Sequence, residues 1–105
     1  MQTQISFTAP TTNADGSALT QPLTFNALID TVNPPVKSYA VPATATVVAG
    51  VVTVTFAQLG FVPVNGATYY AEVTATDASG ASGPSNEATF VYTVAPAAPT
   101  GLKVS

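Results

Sequence analysis

The residues able to do chemistry in this chain are few, and their types exclude more than they offer. Histidine and cysteine are absent, which removes the usual general base near neutral pH and the thiolate nucleophile. Five carboxylates remain, Asp15, Asp30, Glu72, Asp77 and Glu87, against two lysines, Lys37 and Lys103, and no arginine. A carboxylate pair can cleave a glycosidic bond, but it works in a cleft lined by groups that grip the sugar. Neither tryptophan nor arginine is present to build one. Asn13, Asp15, Asp77 and Asn86 are oxygen donors for calcium, yet their spacing matches no calcium loop, and six or more oxygens must converge on that ion. Asp and Asn also favour turns by bonding their own backbone, which explains them without metal. The inventory predicts no catalytic residue, no metal site and no cofactor.

The same scarcity of charge limits the partners. A net charge of −3 with two cations leaves no basic stripe to displace counterions from phosphates, so nucleic acid is excluded. Anionic membrane surfaces are excluded for the same reason. Charged residues make up 7% of the chain, against about a quarter in ordinary domains. That favours a subunit covered by neighbours over a freely diffusing protein, with a Thr/Ser/Ala-coated extracellular module as the alternative. Without cysteine there is no disulfide, and the redox compartment stays open. Met1 to Gln4 has neither the basic start nor the apolar run of a secretory signal, so synthesis in the cytoplasm is expected. Residues 40–64 carry no charge, but their alternating threonines, Pro42, Gly50 and Pro63 read as strand and turn rather than a membrane span.

Positioning falls to β-strands. Alternation with a period of two dominates, and no segment sustains a helical period. Ile5 and Phe7 share one face of a first short strand that stops at Pro10. Thr11 to Ala18 is a turn-forming stretch with Asp15-Gly16 at its tight point. Leu23, Phe25, Ala27 and Ile29 share one face of a second strand, opposed by Thr24, Asn26, Leu28 and Asp30 and ended by Asn33-Pro34-Pro35. Strands are expected around 36–41, 44–48 and 51–57, the last with Val52, Val54 and Phe56 on one face. A loop over Gln58 to Gly66 precedes the clearest strand, with Tyr69, Ala71, Val73 and Ala75 inward and Tyr70, Glu72, Thr74 and Thr76 outward. Asp77 to Ser85 is a loop, and a last long strand covers about Glu87 to Val94. Six or seven such strands imply an all-β, antiparallel sandwich. Tyr69, Val73, Phe7, Phe25, Phe56 and Phe90 are expected to converge between its sheets, while Tyr39, Tyr70, Leu28 and Val91 face outward.

From Tyr69 to Ser85 the chain resembles the fibronectin type III family, whose late-strand pattern is roughly Y-x-V-x-V-x-A-x-N-x-x-G-x-S-x-P-S. Tyr69, Ala71, Val73, Ala75, Asp77, Gly80, Ser82, Pro84 and Ser85 stand at those places. Phe7-Thr8-Ala9-Pro10, Asn13-Ala14-Asp15-Gly16 and Phe25 are similar to bacterial and phage members. The resemblance spans nearly the whole chain and implies an Ig-like sandwich. It also implies a corner tyrosine, Tyr69, whose hydroxyl bonds upstream backbone, although Phe61-Val62-Pro63 stands further from it than in the family. The loops of Asp15 and Asp77 would then share one pole. The fold by itself leaves function open.

The final ten residues add something else. Pro96, Pro99, Leu102 and Val104 match the family's first-strand pattern, P-x-x-P-x-x-L-x-V, displaced to the C-terminus, so that 1–95 form the sandwich and 96–105 a strand-like tail. Almost nothing precedes Ile5, which leaves the first-strand place empty and a sheet edge unpaired. Crossing a sandwich takes about 30 Å, and the connector from Val94 to Pro99 reaches roughly 17 Å. The tail is therefore expected to enter another copy, with Pro96, Pro99, Leu102, Val104, Ile5 and Phe7 forming the assembly interface. These readings predict a non-enzymatic structural subunit, a virion accessory protein that decorates a phage capsid or tail, with copies of itself and a larger protein assembly as partners. The alternative is a carbohydrate-binding or adhesion module of a bacterial surface or secreted protein, with Tyr39 and Tyr70 as its sugar platform.

Overall fold

The computed structural model describes residues 2–19 and 22–104. Met1 and Ser105, the ends of the expected sandwich and tail, lie outside them. The described residues form eight strands and one helical turn in chain order: β1 (Gln4–Thr8), β2 (Thr24–Asp30), β3 (Ser38–Ala40), β4 (Thr46–Val48), β5 (Val51–Thr55), α1 (Phe56–Leu59), β6 (Thr68–Asp77), β7 (Gly80–Ala81) and β8 (Ala88–Val91). One sheet has the order β1-β5-β4, and the other runs β3-β2-β6, with β7 and β8 both beside β6. Every pairing is antiparallel. The fold is all-β, two sheets face to face, as the alternation predicts. None of the described helices is long and apolar enough to cross a membrane.

The period of two decides which side chains meet between the sheets. On β5, Val52 and Val54 are buried and are followed by buried Phe56; on β2 and β6, Ala27, Ile29, Tyr69 and Ala71 are buried. Aromatic rings fill the end of the sandwich where β5 turns into β6. Phe61 meets Tyr69, Phe56 and Tyr39 edge-on at centroid distances of 5.1, 5.1 and 5.5 Å, and Phe90 stacks on Phe56 at 5.8 Å. Tyr39 is thus a core residue rather than an outward one. Its neighbour across the ladder is buried Ala27, so it shares the inward face. The expected single aromatic core is divided, because Phe7 and Phe25 pair with each other, 5.0 Å apart, away from this cluster.

The turn α1 takes Phe56 and Ala57, the end of the segment expected to be a strand, together with Gln58 and Leu59, the start of the expected loop. Thr55 caps it: its hydroxyl accepts from the Gln58 N–H, while the Gln58 side-chain oxygen accepts from the Thr55 N–H. This reciprocal arrangement satisfies two backbone donors at once. Gly60 ends the turn in the left-handed region, φ 75°, which suits a residue without Cβ. Buried Leu59 and Phe61 are thereby carried under the sheets. The Tyr69 hydroxyl accepts from the Val64 N–H at 2.9 Å, the upstream bond that the corner tyrosine implied.

Candidate assembly site

The flank between β1 and the β7–β8 segment is only partly covered. Phe7, Phe25, Val73 and Ala75 point inward, as expected, yet all four are only half-buried. A cleft of about 130 Å³ lies among them, walled by Thr8, Pro10, Gly83, Pro84 and Ser85. On the β6 side, the expected last strand is shortened to β8, and β7 falls within Asp77 to Ser85, the stretch expected to be a loop. Between them two serines replace the ladder. Ser82 donates its N–H to the Ala75 carbonyl, 2.7 Å, and accepts the Ala75 N–H on its hydroxyl, 2.9 Å. Ser85 does the same for Val73, at 2.8 and 2.9 Å. Each hydroxyl stands in for a strand carbonyl, so Pro84 can leave the ladder without orphaning β6 donors.

The β1 side has no such closure. Phe56 N–H donates to the Thr3 carbonyl and Ala9 N–H to the Gly50 carbonyl, which brackets the β1–β5 register of Gln4 opposite Thr55 through Thr8 opposite Val51. Alternation then turns the backbone groups of Ile5 and Phe7 toward β5 and those of Gln4, Ser6 and Thr8 away from it. Among the described residues no strand pairs with that outer edge. Of the expected interface residues, Ile5 is half-buried and packed on the core cluster, and Phe7 lines the cleft.

The tail residues are not brought to them within the single chain. Every described residue from Thr93 onward is exposed, with Leu102 at 95% and Val104 at 98%, and none from Tyr92 onward lies in a strand. Two anchors mark where the tail departs. Gln2 donates its side-chain amide to the Val91 carbonyl and accepts the Thr93 N–H, and the Asn65 side chain accepts the Val94 N–H. The start of β1 and the end of β8 therefore lie at one end of the sandwich. The long dimension of 72 Å corresponds to one ten-residue strand such as β6, about 33 Å, plus an extended tail of similar length.

The carboxylate-bearing loops meet at the other end, around a larger cleft of about 370 Å³ lined by Asn13, Leu19, Leu23, Asp77 and Ser79 among others. Their polar groups serve their own turns. Asp15 accepts both the hydroxyl and the N–H of Ser17, which hold its carboxyl below the usual aspartate range. The Asn13 amide donates to the Ser17 hydroxyl and the Ala18 carbonyl, and Asp77 accepts the Ser79 N–H. No cluster of three metal-ligating acids occurs among the described residues. Tyr39 and Tyr70 fall on opposite faces of one sheet, so they form no common platform for a sugar. Reading residues alone missed the roles of Ser82, Ser85 and α1, although Thr55-x-x-Gln58 is a capping signature visible in the sequence. Comparisons with protein-family models, curated proteins and solved structures find no match.

Proposed function

We propose that this chain is a structural subunit without enzymatic activity, a fibronectin type III-like sandwich that joins a larger assembly through its C-terminal tail. One observation carries the reading: an apolar, exposed tail accompanies a sandwich whose β1 edge and adjoining cleft no described residue covers. Exposed strand edges are ordinarily blunted by charge, proline or covering segments. Here the edge carries Gln4, Ser6 and Thr8, none of them charged. The two antiparallel sheets, β1-β5-β4 and β3-β2-β6 with β7 and β8, support the family reading. A virion, with copies decorating a capsid or tail, is the setting we favour for so weakly charged a subunit.

Sedimentation velocity on the full chain and on a chain ending at Ala95 tests the assembly. The full chain should form concentration-dependent oligomers and the shortened one should stay a monomer; identical behaviour overturns the proposal. Stoichiometric copies in purified particles, counted by mass spectrometry, test the setting, and trace amounts would refute it.

A further inference from the structure

We infer that the tail's acceptor is the outer edge of β1 in a second copy, entered from the Thr8 end, so that the copies join head to tail. This rests on the tail-mediated assembly proposed above and assigns its partner surface. Direction comes first. The tail leaves the end that holds Gln2, Asn65 and Val91 and runs away from its own sandwich. A copy placed beyond it, in the same orientation, presents its Thr8 end. The arriving tail then runs opposite to β1, which gives antiparallel pairing. The copy that receives the tail sends its own tail further along the axis, so the exchange is not reciprocal. Such an interface closes into a ring or continues as a fibre rather than forming a two-fold dimer.

Register follows from chemistry. Leu102 and Val104 must lie on the face shared by Phe7 and Ile5, because burying them is the reason to bind. Leu102 opposite Phe7 and Val104 opposite Ile5 places Lys103 opposite Ser6, with its ammonium on the solvent face. Gly101 and Lys103 then exchange backbone hydrogen bonds with Thr8 and Ser6, the residues whose groups point outward. Pro99 falls opposite Pro10, so the two residues unable to donate meet where the ladder ends. Leu102 enters the cleft formed by Phe7, Phe25, Val73 and Pro84. The end from which the tail departs also exposes Val32, Val36, Val62, Val64 and Val94, an apolar surface for the neighbour's loops to cover.

The chain's lack of cysteine makes disulfide trapping unambiguous. A hydrogen-bonded antiparallel pair holds its Cα atoms about 5.5 Å apart, within disulfide range. Ser6→Cys and Lys103→Cys variants, mixed and oxidised, should give a mixed-disulfide dimer as the main product. Thr46→Cys, on the opposite sheet edge, should give only traces with Lys103→Cys. Preferential linkage to Thr46→Cys overturns the assignment, as does an internal disulfide in the chain carrying both Ser6→Cys and Lys103→Cys. If the full chain oligomerises through its tail but Ser6→Cys does not link, only the acceptor falls. If the chain ending at Ala95 oligomerises like the full one, the assembly reading falls with it.

Discussion

Tyr69 and Val73 share the inward face of β6, yet Tyr69 is buried and Val73 is half-exposed. At Tyr69 the end of the sandwich is closed by α1, by the rings of Phe56, Phe61 and Phe90, and by the hydroxyl bond to Val64. At Val73 the opposing sheet offers Phe7 on an edge strand, with no strand beyond it among the described residues. Alternation sets which way a side chain points; burial depends on whether another layer arrives. The half-open flank is the part of the fold that a second molecule can finish, and this difference underlies the assembly proposed here.

The largest expected effect separates the two regions. Phe61→Ala should cost about 3–5 kcal/mol, because its ring touches three others in a closed space that cannot collapse. Phe25→Ala should cost roughly half as much in the monomer, where one side of the ring already meets the cleft. Equal losses by denaturant titration would mean that the flank is closed. Next, Val73→Ala should cost about 1 kcal/mol in the chain ending at Ala95 and more in the assembled full chain, while Thr74→Ala, facing outward, should stay within about 0.5 kcal/mol in both. Indistinguishable effects at the two positions would mean that the facing of β6 is misassigned.

The smallest effect concerns pH. Desolvation, the largest single influence on Asp30, raises its pKa, but the N–H groups of Thr31, Lys37 and Val36 and the charge of Lys37 together hold it below the usual value. A carboxyl depressed in the folded state stabilises above its unfolded pKa, about 3.9, and that contribution is lost as pH falls through the lower folded value. Melting temperature should therefore be level from neutral pH down to about 5 and decline below about 4. Asp30→Asn should flatten the decline, and an unchanged acid limb in that variant would remove Asp30 from the account.

Much of the sandwich was legible in the sequence because its determinants are local. Alternation set the facing of β1, β2, β5 and β6, and Pro10 and Pro34 lie just beyond the ends of β1 and β2. Tyr39 was misread because β3 is only three residues long, too short for alternation to set its phase against β2. The pairing of β7, Ser82 and Ser85 with β6 falls in a stretch that reads as a loop, because the serines act through hydroxyl bonds that no periodicity reveals. The size of the cleft beside β1 could not be read from the sequence, since it depends on how far Pro84 departs from β6.

Residue-resolved amide hydrogen exchange of β1, followed against protein concentration, tests the central claim most directly. The Ile5 and Phe7 amides bond β5 and should be protected at every concentration, whereas those of Ser6 and Thr8 face outward. The account predicts that Ser6 and Thr8 exchange freely in dilute protein, become protected as the full chain assembles, and stay unprotected in the chain ending at Ala95. Free exchange at Ser6 and Thr8 in the fully assembled protein would contradict it.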